Sequence, residues 1–97
     1  MKTCFVYILA SKRNGTLYIG VSSNLVKRIY EHKNIIRKGF SSKYSCKLLV
    51  YYEVFDDINL AIKREKQLKG GSRLQKLKLI DSFNPDWKDL YAQICRL

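Results

Sequence analysis

Two apolar runs open the chain, Cys4–Ala10 and Thr16–Val21, and Ser11-Lys12-Arg13-Asn14-Gly15 lies between them. Both runs are rich in β-branched and aromatic residues, and Asn-Gly tolerates the positive φ of tight turns, so the pattern predicts a β-hairpin. Alternation places Tyr7 with Phe5 and Leu9, and Tyr18 with Thr16 and Gly20. Gly20 has no side chain, which lets another group approach the backbone there. The register, and whether the two tyrosines share a face, is not set by this pattern. The period then becomes helical. Ser23 or Asn24 caps a helix to about Arg37, with Leu25, Ile29 and Ile36 as its apolar stripe. His32 falls near the centre of that stripe and Arg28 at its edge, while Lys27, Lys33 and Lys38 point toward solvent or a ligand. Gly39 ends the helix, and residues 38–47 read as a basic, aromatic-containing loop.

Leu48–Phe55 is a third strand-like run. Asp56 or Asp57 caps a second helix that stops near Gly70-Gly71. Ser72-x-x-Gln75 is a capping box for a third helix through Leu74, Leu77 and Ile80, broken at Asn84-Pro85. Asp86 then caps a last helix with Trp87, Leu90, Tyr91 and Ile94 on one face. The order ββαβααα predicts a small α/β fold, a three-stranded, mainly antiparallel sheet flanked by helices. At 97 residues and 46% hydrophobic, residues 1–97 fit one domain with a real core and few residues to spare from packing.

One residue breaks the pattern. Ile58, Ala61, Ile62 and Leu68 form the stripe of the second helix, and Glu65 lies in its middle. A carboxylate facing a core must find a cation or lose its charge. A buried ion pair with Arg28 is the bland solution; a bound metal ion is the functional one.

Charge changes the picture further. The net charge is +11, and the excess is lopsided: residues 1–50 hold ten Lys/Arg and one acid, residues 51–97 nine and seven. A cationic half points to a polyanion, most simply nucleic acid, without separating DNA from RNA. Lys12 and Arg13 at the hairpin tip, Lys27, Lys43 and Tyr44 in the loop, and Lys69 and Arg73 are the candidate contacts, with Phe40 or Tyr44 able to stack on bases. Cys4, Cys46 and Cys95 lack metal-ligand spacing and read as reduced, buried thiols of a cytoplasmic protein. The apolar start is short for a signal peptide, and no segment is long enough to span a membrane.

Phosphodiester hydrolysis needs an activated water, a cation on the phosphoryl oxygens and help for the leaving oxygen. Glu65 suits a Mg²⁺ ion that keeps most of its waters, Arg28 suits a phosphate, and Tyr7, Tyr18 or His32 suits the water. A tyrosine in a strand and a histidine on an apolar stripe are each, taken singly, ordinary packing residues.

Val6-Tyr7-Ile8 followed by Leu17-Tyr18-Ile19-Gly20 resembles the signature of the GIY-YIG nuclease superfamily. Asn24-Leu25, Arg28, His32, Glu65 within Ala61–Gly70, Leu79-Ile80, Asn84-Pro85 and Trp87 continue the likeness in order. The chain looks most like the small stand-alone bacterial branch, related to the N-terminal nuclease domain of UvrC and to Slx-type nucleases. The resemblance implies a DNA endonuclease using one Mg²⁺ or Mn²⁺. Glu65 would be the metal ligand, Arg28 the phosphate clamp, Tyr7 and Tyr18 the active-site phenols, and His32 the base that some members carry. Two positions depart: Val21 stands where UvrC-like domains have lysine, and an asparagine beyond the glutamate has only Asn84 as a candidate. The expected function is a metal-dependent endonuclease, in repair or branched-DNA processing. The rivals are a nucleic-acid-binding module with little catalysis and an interaction protein with a vestigial site.

Overall fold

The structure is a computed structural model that describes residues 3–34 and 46–96. Strands β1 (Cys4–Ala10) and β2 (Leu17–Ser22) form the hairpin, and β3 (Leu48–Phe55) pairs with the other side of β1. Both pairings are antiparallel, in the order β2-β1-β3. Asn14 takes the positive φ of the turn, at 58°. A register shift falls between Ile8 and Leu9. It brings two successive β3 residues, Val50 and Tyr51, into one core cluster, as a bulge does.

Helix α1 (Leu25–Lys33) is capped by Asn24, whose Oδ1 accepts from Lys27 N at 3.1 Å. Asn34 closes it; the predicted continuation through Ile36 to Gly39 lies outside the described residues. Helix α2 (Ile58–Gly70) starts at an Asp57 cap, and α3 (Arg73–Phe83) starts at the predicted capping box, with both reciprocal bonds formed. The short α4 is Tyr91–Ile94.

The sheet separates two cores. On one face Val6, Ile8, Ala10, Ile19, Val50 and Tyr51 pack with Ala61 and Leu68 of α2, Ile80 of α3 and Trp87. On the other, Tyr7, Leu9 and Leu49 pack with Leu25 and Ile29 of α1, Leu90, and Ile94 of α4.

Ile58 and Ile62 are exposed, so the buried line of α2 is only Ala61 and Leu68. Leu74 is exposed too. Cys95 is exposed, whereas Cys4 and Cys46 are buried free thiols. The last helix does not begin at Asp86. The Asn84 side chain donates to the carbonyl of Lys88 and accepts from its amide, and Trp87 has a φ of 53°. That capture removes backbone groups a helical turn needs. Instead Leu90 N donates to Leu49 O and Asp89 Oδ1 accepts from Leu49 N, covering part of the β3 edge. Trp87 and Leu90 therefore enter opposite cores rather than sharing a face.

Candidate active site

The hairpin register pairs Tyr7 with Gly20 and Leu9 with Tyr18. Since Tyr18 and Gly20 are two residues apart on β2, both tyrosines lie on the α1 face of the sheet. The Tyr7 ring lies across Gly20: a Cβ there would stand 2.4 Å from Tyr7 Oη and 2.5 Å from Cζ. The chain enters α1 through Ser22, whose Oγ accepts from Asn24 N and donates to Asn24 O, each at 3.0 Å. This entry turns Leu25, Ile29 and His32 inward. His32 Nε2 comes within 3.2 Å of Tyr7 Oη, both side chains being buried. The Tyr7, Tyr18 and His32 rings form a cluster with centroids 5.2–6.5 Å apart.

Arg28 lies one turn before His32, with its Nε 3.6 Å from Glu31 Oε1. Glu65, its side chain only 16% exposed, has Oε2 3.2 Å from Lys69 Nζ. Glu65 is thus paired with Lys69 and Arg28 with Glu31, so the Glu65–Arg28 ion pair that stood as the alternative to a metal ion is not formed. Both charges nevertheless reach Tyr7. Burial and the neighbouring Tyr18 push the Tyr7 phenol up to about 12; Arg28 opposes the rise and the Glu65 carboxylate adds to it. Tyr7 therefore stays protonated near neutral pH and can donate to an unprotonated His32 Nε2.

Helix α2 is itself anchored. Arg64 Nε and Nη2 both donate to Glu53 on β3 at 3.0–3.2 Å, and Tyr51 Oη donates to the same carboxylate. The residue next to Glu65 is thereby tied to the sheet, a network the sequence gives no signal for.

Of the expected nucleic-acid contacts, Lys12 and Arg13 are exposed beside the hairpin turn. Lys27 and Arg28 line a cavity of about 180 Å³ with Ser22, Ser23, Asn24 and Glu31. Lys69 and Arg73 line a groove of about 550 Å³ with Thr16, Leu17, Tyr18, Ile19 and Lys76. Lys76 escaped the sequence reading because its helical position is unremarkable until α2 and β2 are placed beside it. Lys43, Tyr44 and Phe40 lie outside the described residues. Lys33 does not face a ligand: it pairs with Asp89 and donates to Lys47 O at 2.9 Å. Both donor bonds of the Asn84 amide go to Val50 O and Lys88 O, so this residue staples the chain to β3. Val21 packs against the core, leaving no cation at that point. Among the described residues no three His, Cys, Asp or Glu side chains gather as metal ligands. A zinc-type cage is thus not built from them. A lone half-buried carboxylate does fit a hard cation that keeps several waters.

A family model described as the GIY-YIG catalytic domain matches residues 3–78. The chain belongs to this family. It is 42% identical over 81 residues to a UPF0213 protein of Staphylococcus saprophyticus, covering 78% of this chain and 92% of the relative. A UPF0213 protein of Syntrophus aciditrophicus is 37% identical over 94 residues, covering 89% and 98%. The solution NMR structure of a UPF0213 protein from Bacillus halodurans shares the fold, with a TM-score of 0.55 at 23% identity over 90% of this chain and 92% of that one. No helix among the described residues is long and apolar enough to cross a membrane.

Proposed function

We propose that the protein is a single-domain, cytoplasmic endonuclease that hydrolyses phosphodiester bonds in DNA with Mg²⁺ or Mn²⁺, acting on repair intermediates or branched DNA. The observation that carries this reading is the Tyr7–His32 contact at 3.2 Å, with Arg28 and Glu65 both within electrostatic reach of the same phenol.

The chemistry follows from those groups. A phenol with a pKa of about 12 is a poor base by itself. Hydrogen-bonded to His32, it can accept a proton from water at Oη while passing its own to Nε2. His32, itself buried, then holds the proton. Arg28 remains partly exposed, at 30%, so its guanidinium can meet phosphoryl oxygens and stabilise their charge in the transition state. Glu65 would hold the divalent ion, with water and phosphate completing its shell, and the ion would supply charge neutralisation at the leaving oxygen. Tyr18, its ring tilted 60° against that of His32 at 5.2 Å, completes the wall that orients the water.

The test is Glu65→Gln, read for melting, DNA binding and metal-dependent nicking together. Glu65 pairs with a half-exposed lysine, so its loss should cost only about 0.3–0.5 kcal/mol. Cleavage should collapse while folding and DNA affinity survive. A wild type that nicks no linear, nicked, flapped or branched DNA under Mg²⁺ or Mn²⁺ overturns the enzyme in favour of a nucleic-acid-binding module.

A further inference from the structure

The groove at the outer edge of β2 has properties that the catalytic cluster does not require. It is lined by the Thr16–Ile19 segment, with Leu17 and Tyr18, and by Lys69, Arg73 and Lys76. No acidic residue is among its lining, although Lys69 pairs with Glu65 beside it, whereas the cavity at Arg28 contains Glu31 itself. The groove is held open by its own bonds. Arg73 Nη2 donates to Asn14 O and Gly15 O at 2.7 Å each, fastening the start of α3 to the hairpin turn. Lys76 Nζ donates to Gly71 O at 2.8 Å, fixing the link between α2 and α3. Both residues retain further donors for a ligand. Since β2 is an outer strand of the sheet, one line of its backbone groups also faces away from β1.

We infer that this groove binds the backbone of an unpaired nucleic-acid strand next to the phosphate being cleaved. The inference rests on the nuclease reading for where that phosphate sits, and on the groove alone for the binding. Arg73 and Lys76, joined by Lys69 where it turns from its partner Glu65, match a run of phosphates, and a floor with Leu17 and Tyr18 matches bases that are not paired. That combination is how single strands are tracked without sequence readout. A duplex, with its bases turned inward, would use the cations and waste the floor. Tyr18 belongs both to the floor and to the aromatic cluster with Tyr7 and His32, so a strand lying here leads directly to the candidate active site. The charge count placed the excess in residues 1–50, yet these three cations come from residues 69–76.

The experiment measures binding of a short labelled single-stranded oligonucleotide and its duplex across a salt series, without divalent metal so that nothing is cleaved. Lys76→Gln keeps a donor for Gly71 O and removes the charge. Thr16→Glu places a negative charge on the floor. Lys63→Gln, on the exposed surface of α2 away from the groove, is the control. On the single strand, Lys76→Gln should lower the log–log salt slope by about 0.7, the value for one lost phosphate contact. Thr16→Glu should weaken binding several-fold, Lys63→Gln should change neither, and all three should melt like the wild type. An unchanged slope for Lys76→Gln together with wild-type affinity for Thr16→Glu overturns the groove. Effects confined to the duplex overturn its preference for an unpaired strand. If wild type never nicks DNA but these shifts appear, the groove stands and the nuclease reading falls. If wild type nicks and both variants bind normally, only the groove falls.

Discussion

At Gly20 one methyl group decides whether Tyr7 can reach His32. The Tyr7 hydroxyl and Cζ occupy the space a Cβ would need. Gly20→Ala should therefore destabilise the protein by about 1–3 kcal/mol through overpacking. It should also displace the phenol from the imidazole and slow cleavage. A Tyr7→Leu background should absorb the methyl, and a double-mutant cycle should show the coupling; additive melting shifts would refute the contact. Burial gives the same phenol a pH signature. Its ordinary pKa is 10.0 and its folded value about 12, and Tyr51 is raised likewise, mainly by burial. A raised acid is favoured in its neutral form by the fold. Its stabilisation is complete below about pH 10 and is lost as pH climbs toward 12. Denaturation followed over that range should show the loss, and Tyr7→Phe should flatten part of it. The Tyr7–His32 pairing could not be read from the motif itself, because it depends on the register that sets Tyr7 opposite Gly20.

Among the elements, α2 matters most to the site because it carries Glu65 on a helix whose buried line is short. Ala61 and Leu68 alone grip the core, and the Arg64–Glu53 fork supplies the missing constraint on the helix's rotation. Burial by itself would raise the Glu53 carboxyl, but the Arg64 and Tyr51 hydrogen bonds and the guanidinium charge outweigh it and hold it below its ordinary value. A lowered acid stabilises the fold above its unfolded pKa and loses that contribution as pH falls through its folded one. Arg64→Met should cost about 1.5–3 kcal/mol near neutral pH, the range for hydrogen bonds to a charged group. The cost should shrink in acid, and an equal cost at both pH values would show that the fork is not what stabilises. This element also shows what a sequence can convey. Its caps at Asp57 and Gly71, like the Ser72–Gln75 box, are local chemistry and stand where the residue pattern puts them. Periodicity, however, does not say how wide a face the neighbours will cover, so Ile58 and Ile62 look like core residues and are exposed. The failed helix at Asp86 has the same origin: the Asn84 amide takes the backbone of Lys88 and also bonds Val50, a strand residue far away in sequence.

For the molecule as a whole, the consequence of that capture is a chain end that serves both cores. Leaving α3, it buries Trp87 beneath the α2–α3 side, where Nε1 donates to Asp81 Oδ1 at 2.8 Å. It then rounds β3 and places Leu90 and Ile94 against α1, the helix that carries Arg28 and His32. The two halves of this short segment should therefore have separable effects. Trp87→Ala should cost about 3–5 kcal/mol, and Ile94→Ala about 2–5 kcal/mol. At a temperature where both variants remain folded, Trp87→Ala should lose less nicking activity per folded molecule than Ile94→Ala, since its core lies across the sheet from Tyr7 and reaches the candidate site through α2, whose Ala61 and Leu68 share it. Ile94→Ala should lose activity as well as stability, because the cavity it leaves lets α1 settle and lengthens the Tyr7–His32 contact. Melting curves and single-turnover nicking on the same preparations measure both quantities. Equal losses of activity in the two variants would show that the sheet does not insulate one core from the other, and a chain cut after Asn84 that melts like the full protein would show that the segment is not needed to close either.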